Sequence, residues 1–163
     1  MMQDNILFRS FLKEKDLPVL RNILESTDYF YTEEVNIALE IAQEYLLKGE
    51  GASGYHFILA ETESLAIAFA IYGKILGTED SFDLYWIAVH EEFQGKGIGK
   101  ILLRKVEDVV IGLSGRHIWI ETSSRPLYEP TRKFYLKMGY RITAELPHFY
   151  ALNDHKIIFV KLV

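Results

Sequence analysis

The sequence predicts an α/β chain with α and β elements mixed: a central mixed sheet of about seven strands, flanked by about four helices. Three observations predict it. Strand-like runs and runs of helical period follow one another in the order βααβββαβαββ. A β–α–β unit over residues 81–124 calls for one parallel pair of strands, joined by a right-handed crossover. A chain of 163 residues is long enough to bury a core as one domain, residues 1–163.

The first half of the chain alternates apolar runs with turn residues. Pro18 in a first turn and Gly49 as a stop bound two predicted helices, the second of which opens at Thr32 with two glutamates behind it. Branched and aromatic residues dominate the runs between the turns, as strands require. The predicted elements are a strand at 6–11, helices at 15–27 and 32–49, and strands at 56–62, 64–75 and 81–89.

The second half repeats the alternation with longer helical periods. In the run that follows Gly97, apolar side chains recur on one helix face. Pro130 opens the next helix and Gly139 ends it. The predicted elements are helices at 97–113 and 129–140 and strands at 116–124, 140–151 and 156–163.

The charge of the chain is unevenly distributed. The formal net charge is −5, and the whole deficit lies in residues 1–50, which hold ten Asp or Glu against five Lys or Arg. Segment 94–105, "QGKGIGKILLRK", instead has four positive charges and no acidic residue. An acidic chain with a local cationic site favours a small anionic ligand over nucleic acid. A solvated helix face would show the same charges, and that alternative stays open at this point.

Three glycines in that segment, Gly95, Gly97 and Gly99, lie between a strand and a helix. Glycine leaves the backbone N–H groups open to a ligand, and a helix N-terminus adds free amides and a positive dipole end. The spacing does not match the Walker A loop, because only three residues separate Gly95 from Gly99 and Ile101 follows Lys100. Nor does G-x-G-x-G match the dinucleotide fingerprint G-x-G-x-x-G.

The spacing does match Q-x-x-G-x-G through Gln94, Gly97 and Gly99, and here the chain resembles the GNAT superfamily of N-acetyltransferases. The stretch "DLYWIAVHEEFQGKGIGKILL" is similar to that family's strand, pyrophosphate loop and helix. "IWIETSS" resembles the strand that follows, "RKFYLKMGY" the signature that carries a tyrosine, and "FYALNDHKIIFVKLV" a terminal hairpin. The resemblance covers the whole chain and implies a mostly antiparallel sheet whose parallel pair splays apart.

The resemblance also implies a cofactor site for acetyl-CoA as co-substrate. The backbone of Ile87, Ala88 and Val89 is expected to meet the pantetheine and the thioester. The loop is expected to bind the pyrophosphate through its amides, with lysines neutralising charge: Gln94, Gly95, Lys96, Gly97, Ile98, Gly99 and Lys100. Arg132 or Lys133 could add a further positive charge.

Two residues are the predicted catalytic groups. Tyr135 occupies the signature position, and a phenol with a pKa near 10 can protonate a leaving thiolate without ionising at neutral pH. Glu121, on the strand after the glycine-rich helix, is the predicted base, although it could instead orient substrate or serve a buried partner. Asp83 is the second candidate, and its early position on the strand argues against it.

The expected reaction is transfer of an acetyl group to a primary amine of a small molecule or peptide, by direct attack in a ternary complex. The chain has no cysteine, so a cysteine thioester route and a disulfide framework are excluded. Without HExxH or paired histidines, no metal site is predicted. The acidic first 50 residues and the aromatic side chains Tyr128, Phe149 and Tyr150 suggest a cationic acceptor, and an acidic helix pair exposed to solvent is the alternative.

Other functions remain compatible with the same motifs. A non-catalytic, regulatory CoA-binding domain would keep the loop, and a transferase for another acyl-CoA would share it. No apolar run is long enough to cross a membrane and no signal peptide is recognisable, so a cytoplasmic protein is expected. Neither a nucleic-acid nor a membrane partner is predicted, and a homodimer is possible.

Overall fold

The computed structural model describes residues 5–163 and contains a seven-stranded sheet in the order β1-β2-β3-β4-β5-β7-β6. The strands are β1 Leu7–Arg9, β2 His56–Thr62, β3 Leu65–Lys74, β4 Ser81–Val89, β5 His117–Ser123, β6 Arg141–Ala151 and β7 Asp154–Leu162. The helices are α1 Leu17–Ser26, α2 Thr32–Ser53, α3 Ile98–Gly112 and α4 Glu129–Lys137. Every neighbouring pair of strands is antiparallel except β4 and β5. The predicted mixed sheet with one parallel pair is confirmed.

Each face of the sheet carries its own buried cluster. Helices α1 and α2 pack on one face, where residues such as Leu20, Ile23 and Phe69 are fully buried. Helices α3 and α4 cover the other, around residues such as Leu102 and Phe159. Burying apolar area on both faces is the main stabilising contribution to such a sheet, at roughly 25 cal/mol per Å². None of the helices in the described residues is long and apolar enough to cross a bilayer.

Two elements differ from the sequence prediction for identifiable reasons. Strand β1 ends at Arg9, because the guanidinium donates to the carbonyl of Phe11 at 2.7 Å and to Asp16 at 2.7 Å, which turns the chain away from the sheet. Gly49 does not end α2. It interrupts the helix with φ 80° and ψ 169°, and a last turn runs on to Gly54, whose φ is 74°.

The parallel pairing of β4 with β5 covers only half of each strand. Register partners run from Ser81 opposite His117 to Leu84 opposite Ile120, and none follow. At the same point β4 contains a bulge, because Tyr72 pairs with Leu84 and Ile71 with Trp86. Tyr85 is therefore an extra residue, and a bulge of this kind bends its strand and re-aims the side chains that follow. The predicted splay between the two parallel strands is present, beginning at Tyr85.

Candidate active site

A cavity of about 600 Å³ opens where β4 and β5 separate. Its walls come from β4, the glycine-rich loop, the start of α3, the end of β5 and the inner face of α4. Of the cofactor-binding and catalytic residues named from sequence, Lys96, Asp83, Arg132 and Lys133 do not line it. The others do: Ile87, Ala88, Val89, Gln94, Gly95, Gly97, Ile98, Gly99, Lys100, Glu121 and Tyr135. We call it the first cavity.

The end of β4 turns backbone groups toward this gap. His90 donates its N–H to the carbonyl of Ile67 on β3 at 2.9 Å. Because successive residues of a strand point their backbone groups in opposite directions, Val89 and Ile87 present N–H and C=O to the gap. Ala88, opposite Phe69 in the register, turns its backbone N–H and C=O toward β3.

The loop from Gln94 to Gly97 is held open by two left-handed glycines. Gly95 has φ 74° and Gly97, the residue before α3, has φ 79°. A side chain at either position would adopt a conformation that L-residues disfavour by roughly 1–2 kcal/mol. The side chain of Gln94 fixes the loop to the sheet by donating to the carbonyl of Val89 at 3.0 Å.

The amides of this loop have no internal acceptors. In the described chain no hydrogen bond is donated by the backbone N–H of any residue from 95 to 100, and the first helical bond at this end runs from Ile101 to Gly97 at 3.2 Å. The helix dipole of α3 adds positive potential at the same place. A row of unpartnered amides at a helix N-terminus fits the diphosphate of a coenzyme A molecule.

The basic side chains near the loop divide into available and engaged ones. Lys100 lines the first cavity, whereas Lys96 does not line it and instead lies 5.0 Å from the centroid of the Phe93 ring. Arg132 donates to the carbonyls of Ser123 and Arg125 at 2.8 and 2.9 Å. Lys133 pairs with Glu129 on its own helix. Arg132 therefore fixes the end of β5 through two hydrogen bonds from one nitrogen and keeps its positive charge.

Tyr135 extends from α4 into the wall of the first cavity. The ring packs against Phe134, Tyr140 and Phe159, and only 4% of the residue is exposed. Its hydroxyl has no hydrogen-bond partner among the described residues. Burial raises the pKa of this phenol above its ordinary value, so the hydroxyl keeps its proton at neutral pH.

A second cavity of about 510 Å³ lies next to the first. The two share wall residues at the gap, among them Tyr85, Glu121 and Thr122. The rest of the second cavity is built from the start of α2, the turn after β5 and the tip of the β6–β7 hairpin: Tyr31, Glu33, Glu34, Ile37, Arg125, Tyr150, Ala151 and Asp154. The gap between β4 and β5 therefore connects two cavities that are lined by different residues.

Glu121 reaches this junction but already has a partner. The Nζ atom of Lys156, from β7, lies 2.8 Å from Glu121 Oε2, and about half of the Glu121 side chain is exposed. Lys156 itself is buried, with its Nζ 3.6 Å from the centroid of the Phe149 ring. The Glu121 carboxylate is therefore engaged in an ion pair with a buried ammonium group.

Asp83 lies in the second cavity, two residues before the bulge. It has no hydrogen-bond or ion-pair partner in the described chain. Burial, together with the negative charge of Glu121, raises the pKa of Asp83 from 3.8 to about 6, although Lys156 acts in the opposite direction. The carboxylate is thus both unpaired and poised to accept a proton near neutral pH. Asp83 thus lies early on β4, opposite Trp119 and before the gap, and lines the second cavity but not the first.

Thr122 is the other polar residue that reaches the junction. Its hydroxyl is fully buried without a hydrogen-bond partner, the only side-chain atom of the described residues in that condition. Leaving a buried hydroxyl unpaired costs roughly 1–3 kcal/mol, which a bound polar group would recover.

Sequence reasoning placed the glycine loop but missed Thr122 and Lys156. Alternation along β5 places Trp119, Glu121 and Ser123 on one face of the strand, and the prediction considered that face alone. Thr122 lies on the opposite face. The contact of Lys156 with Glu121 depends on the pairing of β5 with β7, which places distant segments side by side. Among the described residues no group of three His, Cys, Asp or Glu side chains could hold a metal ion.

Comparison with known proteins identifies the family. A sequence profile described as the Acetyltransferase (GNAT) domain matches residues 53–142. An uncharacterized N-acetyltransferase of Methanocaldococcus jannaschii is 31% identical over 93 residues, which are 56% of this chain and 59% of that protein. The chain thus matches less than two thirds of the length of that relative.

Two solved structures extend the comparison to the whole fold. A crystal structure assigned to the GNAT family from Desulfovibrio desulfuricans is 38% identical, with a TM-score of 0.93 over 96% of this chain and 98% of the other. The PaiA N-acetyltransferase of Thermoplasma acidophilum, in complex with coenzyme A, has a TM-score of 0.76 at 17% identity, over 98% and 99% of the two chains. The second likeness shows the fold alone. With the profile covering more than half of its length and the splayed sheet present, the chain belongs to the GNAT acetyltransferase family.

Proposed function

We propose that this protein is an acetyl-CoA-dependent N-acetyltransferase that acts on a primary amine by direct attack in a ternary complex. The observation that carries the proposal is the row of unpartnered amides from residue 95 to residue 100, which begins beside the gap in the sheet. A diphosphate bound there can extend its pantetheine arm along the open edge of β4. Family membership, and a neighbour of the same fold solved with coenzyme A, support the same ligand.

Bound acetyl-CoA would supply an activated acetyl group as its thioester. Transfer forms a C–N bond and breaks the C–S bond, while the amine nitrogen loses a proton and the thiolate sulfur gains one. The residues of this chain must therefore hold the reactants in place, accept one proton and donate another. Placement in one complex can lower the barrier by roughly 7–11 kcal/mol in favourable systems.

Val89 is the residue we assign to the thioester oxygen. Its N–H points to the gap because that of His90 is committed to Ile67. A fixed amide aimed at developing negative charge stabilises a transition state without reorganising. The carbonyl of Val89 is held by Gln94, which keeps the peptide unit oriented.

We assign the role of proton acceptor to Asp83, acting through water molecules in the second cavity, because several residues of β4 separate it from Val89. Asp83 is unpaired, it lies in the second cavity, and its pKa of about 6 allows it to be ionised yet basic at neutral pH. Glu121, the base predicted from sequence, is held by Lys156 and raises the pKa of Asp83 through its charge. We therefore assign Glu121 a positioning role.

Tyr135 is the proton donor in this proposal. It lines the first cavity, its hydroxyl is unpartnered, and burial keeps it protonated. Protonation of the thiolate sulfur by the phenol completes the transfer.

The test is release of free thiol from acetyl-CoA in the presence of a panel of primary amines, with acetyl-CoA affinity measured in parallel by calorimetry. We expect saturable binding and amine-dependent thiol release. Tight binding with no thiol release from any amine would contradict the transferase and favour a regulatory CoA-binding domain. Absence of binding would contradict the cofactor site itself.

A further inference from the structure

We propose that the acceptor is a small primary amine that carries a second cationic group, and that this substrate lies in the second cavity with its reacting nitrogen at the gap. The inference rests on the N-acetyltransferase function proposed above and names its substrate class.

Two cations, Arg125 in the wall of the second cavity and Lys156 on β7, are already paired with two of its carboxylates. Lys156 pairs with Glu121 at 2.8 Å. Arg125 approaches Asp154 with Nε to Oδ2 at 3.5 Å, and its guanidinium lies 4.3 Å from the centroid of the Tyr31 ring. These four charged groups balance one another.

Three carboxylates of the same cavity have no cationic partner. Asp83 lies on β4 two residues before the gap, and Glu33 and Glu34 lie in the first turn of α2. Glu34 accepts a hydrogen bond from the backbone N–H of Tyr31 at 2.7 Å, which uses one oxygen but leaves the charge. No Lys or Arg of the described chain lies within ion-pair distance of the three. The second cavity therefore contains three carboxylates whose negative charge no ion pair compensates.

The aromatic walls suit a cation as well. Tyr31, Tyr85, Trp86 and Tyr150 line the second cavity, and a cation over an aromatic face gains roughly 0.5–2 kcal/mol. The guanidinium of Arg125, held against Tyr31 and Tyr128, shows such a contact within the same wall. A volume of about 510 Å³ is within the range of small-molecule sites.

The unpartnered hydroxyl of Thr122 points independently to a ligand at the junction. It is buried, it belongs to the walls of both cavities, and no group of the described chain satisfies it. The N–H of an amine held at the gap would donate to this oxygen once the threonine side chain turns toward the gap, because the hydroxyl is closed off from solvent in the free protein. The carboxylates set the charge of the ligand, and Thr122 marks where its polar end lies.

The experiment compares putrescine with n-pentylamine, which has a methyl group in place of the second ammonium group. Binding of each to the full chain saturated with coenzyme A is measured by calorimetry. We expect putrescine to bind about tenfold more tightly, the factor that one charge-assisted contact supplies. Equal affinities, or a preference for n-pentylamine, would overturn the inference.

A double variant assigns the preference to the predicted wall. In Glu33→Gln with Glu34→Gln, the second glutamine can still accept from the Tyr31 amide, so α2 keeps its cap. The preference for putrescine should vanish there and persist in Glu40→Gln, which changes an exposed carboxylate further along α2 that does not line the cavity. A preference that survives in the double variant would overturn the assignment.

Thr122→Val tests whether this hydroxyl contacts the polar end of the ligand. Two quantities are measured, the free energy of unfolding and the affinity for both amines, and they should change in opposite directions. Removing an unpaired buried hydroxyl should leave the free energy of unfolding of the free protein unchanged or higher, while both amines bind more weakly. A variant that is less stable and binds both amines normally would show that Thr122 serves the fold alone, and would remove it from the site.

Thiol release separates this inference from the transferase proposal. If putrescine binds selectively and releases thiol from acetyl-CoA, both stand. If it binds selectively without thiol release, the acetyl transfer is wrong and the cation site stands. If n-pentylamine and γ-aminobutyrate release thiol as fast as putrescine, the transferase stands and the substrate class is wrong.

Discussion

The two cavities at the gap are lined by different chemical groups. The first offers backbone amides from one continuous loop, with a helix end behind them and a basic side chain at the rim. The second offers carboxylates and aromatic rings from four separate segments of the chain. Backbone recognition suits a ligand that never changes, whereas side chains can be exchanged to suit a different acceptor. The difference indicates which half of the site is generic and which half is particular to this protein.

The largest expected effect is on the backbone half. Gly97→Glu forces a side chain into a left-handed conformation with φ 79° and adds negative charge to an anion site. Affinity for acetyl-CoA in calorimetry should fall at least about a hundredfold. Gly77→Glu is the matched control, because Gly77 has φ 81°, open space around it and a position outside both cavities. Similar losses in both variants would attribute the effect to strain and not to the site.

The next effect separates chemistry from binding on the same side of the gap. Tyr135→Phe should lower kcat about a hundredfold by removing the proton donor, while acetyl-CoA affinity stays unchanged. Tyr140→Phe serves as control. Its buried hydroxyl donates to Glu107 at 3.1 Å, so this variant should lose stability and keep kcat. A Tyr135→Phe enzyme with normal kcat would leave the donor role without support.

A third prediction tests the role of the second cavity through the pH dependence of kcat. In the parent protein kcat should rise as the pH passes through about 6, where Asp83 ionises. Asp83→Asn should remove that rise and most of the rate. Glu121→Gln removes a charge that raises the pKa of Asp83, so the inflection should move to lower pH with activity retained. Loss of the rate in Glu121→Gln, with Asp83→Asn active, would reverse the two roles.

The smallest effect is on stability. Because the pKa of Asp83 is raised by folding, the folded state holds this proton more tightly than the unfolded chain, and stability falls as the pH rises from 3.8 to about 6. Asp83→Asn should therefore raise the free energy of unfolding by about 1 kcal/mol at pH 8, less than the full pKa shift implies, because the side chain is only partly buried and solvent screens its charge. Urea unfolding of the parent protein and of Asp83→Asn is compared at two pH values, pH 8 and a pH well below the ordinary pKa of aspartate. The variant should be more stable than the parent at pH 8 only. An equal gain at both values would assign the effect to packing.

How far each cavity could be predicted from sequence depends on whether its residues are close together in the chain. Strands, helices and the glycine loop could be predicted because period and spacing are local properties of the chain. Asp83, Glu33 and Asp154 lie far apart in sequence and meet only through sheet order and helix packing. The early end of β1 likewise depends on Arg9 reaching Asp16 and Glu61. Sequence could name Glu121 as an acid on the right strand, but not the Lys156 that neutralises it.

The bulge at Tyr85 affects not only the gap between β4 and β5 but also the orientation of the residues that follow it on β4. Because it is one residue in excess of the register with β3, every residue from Trp86 to Val89 lies on the side opposite to the one that simple alternation from Ser81 would give. Deleting it would exchange inner for outer along this stretch: Ile87 and Val89 would trade places with Trp86 and Ala88, and their peptide groups would turn with them. A single extra residue thus determines which side chains and peptide groups at the end of β4 face the first cavity.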